Sequence, residues 1–486
     1  MFQYGFMLAA TDACALVAFA PYSAPTKGQD HMTTGTGTRC SRLKMALFVG
    51  AGVAMGTLLA GATRAQTPPA ATATSTVSYV HAGQLLDRPG ERPRGASTII
   101  VRDGRVVEIC DGHVAPEGGA TLVDLSDKFV LPGLIDLHVH LWGFRGEPLQ
   151  RRATAMNRED VDDLIYASGN ARDTLMAGFT TVRDLGGNAR GMRALRDGIA
   201  RGDVDGPTIV NAGQGISVTG GHGDGTNGLR EDIADMVHQH QINTCDGVED
   251  CRRAVRQQVG LGAQVIKFMA TGGVLSNVSG GLGRAMEPDE MKAIIDTAHG
   301  LGRKVAAHSH AAEGTRAAVE AGVDTIDHGT FLDTATINAM KAKGTWLVPT
   351  MLAPRAALAQ ARAGQLPPAT IPKAEEAATA ALESHRRAIA SGVKIAFGTD
   401  AGVSPHGENA QEFALMVEAG MTPARAIRAA TVDAADALGM SESLGVIAPG
   451  RAADIIAVTG SPLDDVRRLE SVDFVMRRGV VHKDVR

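Results

Sequence analysis

The alternation of short apolar runs with amphipathic segments most strongly limits what this chain can fold into. Eight apolar runs lie between residues 129 and 400, and helix-like segments rich in Ala, Arg and Glu separate them. Strands that alternate with helices indicate a parallel sheet. Eight such units over about 300 residues predict an α/β fold, a (β/α)8 TIM-like barrel with its chemistry at the carboxyl ends of the strands. The runs are residues 129–140, 180–184, 208–212, 265–270, 304–308, 325–328, 346–350 and 395–400, and the helix-like segments include 161–177, 249–261, 288–300 and 373–391.

The two ends of the region that follows residue 75 have a different sequence pattern, which is rich in short β-forming runs. Short runs at 77–81, 97–101 and 105–109 are separated by turn signals, and similar runs return at 453–458 and 474–482. A chain of 486 residues is also too long for one average domain. We therefore expect residues 76–130 plus 447–486 to form a small β-sandwich module from both chain ends, and residues 131–446 to form the barrel.

The first 65 residues have the pattern of a leader with a secretory signal peptide. Arg42 and Lys44 precede an apolar run at 45–62, and small residues lead to Ala65. A basic region, an apolar region and a small-residue cleavage site are typical of a signal peptide cut after Ala65. A retained anchor is the alternative, but a bilayer span needs about 20 apolar residues. We expect a periplasmic or secreted protein, without a stable membrane span after signal removal, in which residues 66–75 are a flexible leader.

Charge and cysteine content narrow the choice of partners and compartment. The formal charge of −5 and the aromatic content of 4% exclude nucleic acid as a partner, since neither a basic field nor a stacking platform is available. Cys245 and Cys251 flank a short loop that an oxidising compartment would close as a disulfide, and two reduced thiols are the alternative. Cys110 lies in an apolar stretch and is expected to be buried.

Histidines and a lysine stand in or at the ends of the predicted strands. His138 and His140 are two apart, so they point to the same side of a strand and can converge on one ion, although surface histidines give the same pattern. Lys267 lies inside an apolar strand, where an ammonium is costly. It either snorkels out, pairs with a carboxylate, or captures carbon dioxide as a neutral amine and becomes an anionic carbamate that bridges two cations.

Further strand ends carry the same ligand chemistry. His308 and His310 end the fifth run, His328 ends the sixth, and Asp400 follows the eighth. Each alone is ambiguous, because a histidine that ends a strand is often a core residue and Asp before Gly is often a turn. Barrel geometry brings the strand ends together, and imidazole and carboxylate groups are suitable ligands for Zn²⁺ or a related divalent ion. The set therefore predicts a metal site.

With these residues in view, the sequence resembles the amidohydrolase superfamily of metal-dependent hydrolases. It is similar to the prolidase-like, imidazolonepropionase-related branch, which includes Xaa-Pro and Xaa-Arg/Lys dipeptidases and ochratoxin-hydrolysing amidases. The resemblance covers residues 76 to 482. The motifs that carry it are PGLIDLHVH (132–140), TTVRD (180–184), TGGHGD (219–224), IKFMATGG (266–273), AAHSH (306–310), DTIDHG (324–329), GTDAG (398–402) and GVIAPGRAADIIAV (445–458).

The resemblance implies roles for individual residues. His138, His140 and Asp400 would hold the more buried of two divalent ions, His308 and His328 would hold the more exposed one, and Lys267 as N6-carboxylysine would bridge both. Zinc is favoured by ligand type. His310 is the rival of His308. His222, in a Gly-rich loop, would contact substrate, its alternative being a loop histidine with no role, and Arg183 would brace the barrel.

The implied activity is hydrolysis of an amide bond in a dipeptide or an N-acyl amino acid, with an ochratoxin-type amide as a candidate. A hydroxide that bridges the metals would attack, and Asp400 would pass its proton to the leaving nitrogen. A cyclic-amide (imidazolone or lactam) hydrolase with the same metals is the alternative. A non-catalytic relic is disfavoured because Lys267 and Asp400 are both present. Family members often assemble, so a homo-oligomer is expected.

Overall fold

The computed structural model describes residues 76–143, 145, 150, 153–154, 157–276, 281–366 and 368–485. The signal peptide, the cleavage site and the flexible leader that the sequence predicts lie outside the described residues. Within the described ranges, no helix is both long enough and apolar enough to cross a bilayer.

Strands from both ends of the described chain form one seven-stranded sheet in the order β14-β13-β12-β4-β1-β2-β3. Parallel pairing joins β1 to β4, and antiparallel pairing joins β4 to β12, with Pro132 opposite Ile455. The two ends thus share a sheet, whereas the two-layer sandwich stays a prediction. The run at 474–482 is two strands around the turn Arg478–Gly479. The strands are β1 (Val77–Leu85), β2 (Ser97–Arg102), β3 (Arg105–Asp111), β4 (Thr121–Pro132), β12 (Ile455–Val458), β13 (Val472–Arg477) and β14 (Val480–Asp484).

Seven parallel strands form two further sheets. One has the order β5-β6-β7 and the other β11-β10-β9-β8. The strands are β5 (Leu134–Val139), β6 (Phe179–Asp184), β7 (Thr208–Asn211), β8 (Val265–Met269), β9 (Lys304–Ala311), β10 (Thr325–Phe331) and β11 (Trp346–Val348). Every residue of β5, β6 and β8 is buried, as expected of strands covered on both faces.

Two of the predicted runs differ from the structure. The run at 129–140 is not one strand: β4 ends at Pro132 and β5 begins at Leu134 in another sheet. Gly133 permits this change, because a Cβ there would lie 2.2 Å from the Thr180 hydroxyl. The run at 395–400 does not form a regular strand, and single parallel bridges join Ile395 to Leu347 and Ala401 to Val139. The α/β class is confirmed, and the closed eight-stranded ring is not observed as one continuous sheet.

Twelve helices of the described chain connect these strands. The segment 288–300 is helical as predicted, and the other predicted helices begin one or two residues earlier. Apolar faces of the helices pack on the parallel strands, for example Leu175 and Ile294 in one cluster with Val182 and Ile266. The helices are α1 (Asp160–Met176), α2 (Ala189–Arg201), α3 (Glu231–His240), α4 (Val248–Gly260), α5 (Pro288–Gly300), α6 (Ala312–Ala321), α7 (Thr334–Lys343), α8 (Leu352–Arg362), α9 (Ile371–Ala390), α10 (Gln411–Glu418), α11 (Pro423–Ala429) and α12 (Val432–Leu438).

A disulfide joins Cys245 to Cys251 at the start of α4, and both residues are fully buried. The Cys245 amide donates to the Ser217 carbonyl, and the Ser217 amide donates to the Asn243 carbonyl. The disulfide therefore lies beside the backbone pairing that anchors the loop after β7. Cys110 is an unpaired thiol that is half-buried, rather than buried as expected, because it lies on the edge strand β3.

Removal of this disulfide is expected to destabilise the protein measurably. Because the cross-link closes a short loop, the double variant Cys245→Ser/Cys251→Ser should lose about 2 kcal/mol of unfolding free energy, measured by urea denaturation. A reductant should destabilise the wild type but not the double variant. Cys110→Ser is the control and should keep the response to reductant. Equal stability of the wild type with and without reductant would contradict the prediction.

Candidate metal centre

A cavity of about 350 Å³ lies where the carboxyl ends of the parallel strands meet. Every site residue that the sequence predicts lines it. These residues are His138, His140, His222, Lys267, His308, His310, His328 and Asp400. Two groups of donors can be distinguished within it, each with ligand atoms within 4.8 Å of one another: one is His138, His140 and Asp400, and the other is His308, His310 and His328.

The first group has the spacing of a metal site. The Nε2 atoms of His138 and His140 are 3.3 Å apart, and Oδ1 of Asp400 lies 3.4 Å from the first and 3.2 Å from the second. Bond lengths of 2.0–2.1 Å around a tetrahedral zinc ion place neighbouring ligands about 3.3 Å apart. Three donors with these separations fit three corners of one coordination tetrahedron.

The buried carboxylate of Asp136 fixes the two chain segments that carry this group. It accepts hydrogen bonds from the His138 amide (3.0 Å) and the Thr399 amide (3.1 Å), and also from the Thr399 hydroxyl (2.6 Å) and the Asn409 side chain (2.8 Å). Burial raises the pKa of Asp136 to about 6, although these hydrogen bonds oppose the shift. Asp136 therefore ties β5 to the segment that ends in Asp400.

The second group consists of three buried imidazoles. The Thr330 hydroxyl lies 2.7 Å from Nδ1 of His310, and the Thr350 hydroxyl lies 2.7 Å from Nδ1 of His328, which leaves Nε2 of each ring for the cluster. Burial lowers the pKa of His308 and His328 well below the ordinary value, so both rings are neutral, as metal ligands must be. The structure brings His308 and His310 to the same cluster, so both remain candidates.

Lys267 lines the same cavity and has a carboxylate partner. Its side chain is 1% exposed, and Nζ donates to Oδ2 of Asp327 at 2.7 Å. Burial lowers the pKa of Lys267. The other Asp327 oxygen accepts from Arg183 Nη2 at 3.0 Å, and Arg183 Nε donates to the Leu137 carbonyl. Arg183 is thus an internal brace, as expected, whereas the motif DTIDHG, which contains Asp327, does not by itself indicate this contact.

His222 is brought into the cavity by a closely packed loop. Its ring centroid is 4.3 Å from that of His308, and burial lowers its pKa to about 3. A Cβ at Gly273 would lie 2.3 Å from this ring, so glycine is required opposite it. The Asn243 side chain donates to the Gly215 and Gly223 carbonyls and holds the loop in place. The prediction that His222 reaches the site is consistent with this position.

The remaining wall of the cavity is apolar and was not identified from the sequence. Half of its apolar residues come from α8 and α9, where small side chains leave space above the donors. Its members are Val274, Leu275, Ala353, Pro354, Ala357, Leu366, Ala381 and Val403. Alanines at helical spacing are ordinary core residues in a sequence, and only the fold reveals that these face an opening.

Glu412 positions this wall and, indirectly, His328. Its carboxylate accepts from the Met351 amide (2.8 Å) and the Leu352 amide (2.7 Å), directly after Thr350, whose φ is +47°. A non-glycine residue in this left-handed region is strained and persists only where its surroundings hold it. Burial raises the pKa of Glu412 to about 8, against the two backbone hydrogen bonds.

The raised pKa of Glu412 predicts a pH-dependent stability. An acid whose pKa is raised on folding stabilises the protein below its unfolded value, and this contribution is lost as pH rises towards the folded value. Wild-type unfolding free energy should therefore fall between about pH 4.5 and pH 8 relative to that of Glu412→Gln. Urea unfolding of metal-free protein at both pH values measures this. Glu418→Gln, which removes an exposed carboxylate of the same helix, is the control, and an identical pH dependence in wild type and Glu412→Gln would contradict the prediction.

Comparison with known proteins adds independent information. The family model described as "Amidohydrolase family" matches residues 129–483. The ochratoxinase of Aspergillus niger is 31% identical over 432 residues, which cover 85% of this chain and 88% of that protein. The imidazolonepropionase of Nocardia farcinica is 25% identical over 403 residues, covering 79% of this chain and 92% of that protein.

A solved structure is also similar over most of the chain. A Xaa-Pro dipeptidase with methionine bound in its active site superposes with a TM-score of 0.79 at 36% identity. The match covers 84% of this chain and all of that one.

Proposed function

Because the chain belongs to the amidohydrolase family, we propose that it is an exported, binuclear, metal-dependent enzyme that hydrolyses the amide bond of a dipeptide or an N-acyl amino acid. It is a hydrolase of carbon–nitrogen bonds. The observation that carries the metal assignment is the spacing of 3.2–3.4 Å among the three donor atoms of His138, His140 and Asp400. The histidine cluster across the cavity supports a second ion.

In this proposal the two groups of donors would hold two divalent ions, with zinc favoured by the nitrogen and oxygen ligands. His138, His140 and Asp400 would hold one ion, His308 and His328 would hold the other, and carboxylated Lys267 would be a ligand shared by both. When bound, the ions would make water acidic enough to act as a nucleophile near neutral pH and would polarise the scissile carbonyl.

The side chains of the cavity supply the remaining steps. Asp400 accepts the proton of the attacking water and passes it to the amide nitrogen, which is too basic to leave unprotonated. Its side chain is 13% exposed, so it is accessible from the cavity. His222, beside His308, contacts the substrate. The apolar wall excludes bulk water from the reacting groups.

The shape of the cavity supports substrates with a bulky apolar group beside the scissile amide. Small residues of α8 and α9 leave room for such a group, and the related dipeptidase holds methionine in its active site. An ochratoxin-type amide fits the same description, and the relationship to ochratoxinase supports it. Cyclic amides are the alternative, since an imidazolonepropionase is also a relative.

Export and barrel closure complete the proposal. The signal-like N-terminus and the Cys245–Cys251 disulfide both support an oxidising compartment, periplasmic or extracellular.

The two parallel sheets are the halves of one (β/α)8 barrel, and the bridges from Val139 to Ala401 and from Leu347 to Ile395 support its closure. The partners we propose are a small-molecule or dipeptide substrate and further copies of the same chain.

Metal analysis combined with a substrate panel tests the proposed function. Purified protein should carry two divalent ions per chain and should hydrolyse dipeptides or N-acyl amino acids with apolar side chains. The panel should include lactams and an imidazolone. Turnover of the cyclic amides alone would support the alternative, and a protein that binds no metal would overturn both.

Substitution of Asp400 should separate proton transfer from metal binding. Asp400→Asn keeps an oxygen ligand but cannot accept a proton, so kcat should fall at least about 100-fold, the usual contribution of a general base. Metal content, measured by elemental analysis, should stay close to that of the wild type. Full activity in this variant would remove Asp400 from proton transfer.

Filling the apolar wall should change specificity. Ala357→Leu places three more carbons in the cavity, so kcat/KM for substrates with bulky apolar side chains should fall about tenfold or more relative to small ones. The exposed position on the same helix, Ala359→Leu, is the matched control and should leave the ratio unchanged. An unchanged ratio in Ala357→Leu would show that the bulky group binds elsewhere.

A further inference from the structure

We infer that Asp327 is the positioning residue for the bridging Lys267, and that it aligns Lys267 and His138 with the two metal sites. This inference rests on the proposed function, because it concerns the carboxylated form of Lys267. It assigns a task to a buried carboxylate that lies beside the site and that is not one of the metal ligands.

The contacts of Asp327 are asymmetric. Its Oδ1 accepts from Arg183 Nη2 at 3.0 Å and from the Thr325 hydroxyl at 3.2 Å. Its Oδ2 accepts from Lys267 Nζ at 2.7 Å and lies 3.3 Å from Nδ1 of His138. One oxygen therefore faces the brace, and the other faces two residues of the metal centre.

Burial makes an uncompensated charge at this position costly in folding free energy. Asp327 is fully buried, and Arg183 and Lys267 are 2% and 1% exposed. Removing one partner of a buried ion pair leaves an uncompensated charge and is strongly destabilising. Arg183 balances the charge of Asp327, so the carboxylate does not need Lys267 to remain an ammonium. Arg183 therefore compensates the charge of Asp327 whether Lys267 is an ammonium or a carbamate.

Carboxylation of Lys267 is compatible with the same contact. One bond forms between Nζ and the carbon of carbon dioxide, and the ammonium releases two protons to water, so Nζ keeps one N–H in an anionic carbamate. That N–H can still donate to Oδ2 of Asp327. The new carboxylate group then points away from Asp327, which keeps the two anionic groups apart and directs the carbamate towards the cavity.

Asp327 also contacts a second proposed metal ligand, His138. Oδ2 of Asp327 lies 3.3 Å from Nδ1 of His138, whose Nε2 belongs to the first group of donors. Nδ1 makes no hydrogen bond within the described residues, so the contact is electrostatic and places the carboxylate beside the outer nitrogen of this ring. The Arg183 bond to the Leu137 carbonyl holds the adjacent backbone. Asp327 thereby couples Lys267 to the first metal site.

The test uses the full-length protein incubated with metal and ¹³C-labelled bicarbonate. Carbamate is measured by ¹³C NMR and by intact mass, as the added mass of one carbon dioxide, and metal is counted by elemental analysis. Asp327→Asn should lose most of the carbamate signal, and its metal affinity should fall about 10- to 100-fold, as is usual when a residue that orients a ligand is removed. Asp454→Asn, which alters a buried aspartate directly before β12, is the matched control and should retain both.

A second variant keeps the test decisive if Asp327→Asn fails to fold. Asp327→Glu restores the charge but moves the carboxylate by one methylene, so it should fold and recover only part of the carbamate signal. A purely structural role would instead restore the full signal in any variant that folds, as judged by near-ultraviolet circular dichroism.

The outcomes separate this inference from the proposed function. If the wild type carries the labelled carbamate and folded Asp327→Asn carries as much, Asp327 does not position Lys267 and the inference is overturned alone. If the wild type itself carries no label and one metal ion, Lys267 is an ordinary ion-paired ammonium, and the binuclear part of the proposed function fails together with the inference.

Discussion

The charged side chains at the centre of this molecule lie in a water-free interior, so their charges must be compensated by one another. Lys267, Arg183 and Asp327 are almost completely buried, and the Asp327 carboxylate would be an uncompensated buried charge without Arg183. Their contacts require strands β6, β8 and β10 to meet with fixed register, because the three side chains come from different strands. The buried polar contacts and the arrangement of the strands therefore depend on each other, and the proposed metal ligands lie at the adjacent strand ends.

Backbone strain is concentrated in the same place. His328, Thr350 and Asp400 all have positive φ, at +73°, +47° and +61°, and all three line the cavity. Such conformations persist only where neighbouring contacts hold them, and they cluster at functional sites. Here the Glu412 carboxylate and the Asp136 network supply those contacts. The strained backbone thus lowers folding stability somewhat, and it also directs these three side chains into the same cavity.

The sequence predicted the alternation of strands and helices and the donors of both groups in the cavity, because strand-end histidines and Asp400 belong to local motifs. It predicted neither the change of sheet at Gly133 nor the lack of a regular strand at 395–400, since both depend on neighbours distant in sequence. Asp327 was overlooked because a buried partner is recognised only from its contacts. The alanines of the cavity wall carry no local signal, since core and cavity positions look alike along a helix.

The sharing of one sheet by both chain ends has a consequence for biogenesis. Strand β4 lies between β1 and β12, and Pro132 of β4 pairs with Ile455 of β12, so the whole central region is synthesised between these two strands. The sheet therefore cannot be completed while the ribosome is still making the central region, and its slow, long-range pairing comes last. The sheet thus stays incomplete until β12 has been synthesised, which makes the segment that carries β12 and β13 indispensable to the product.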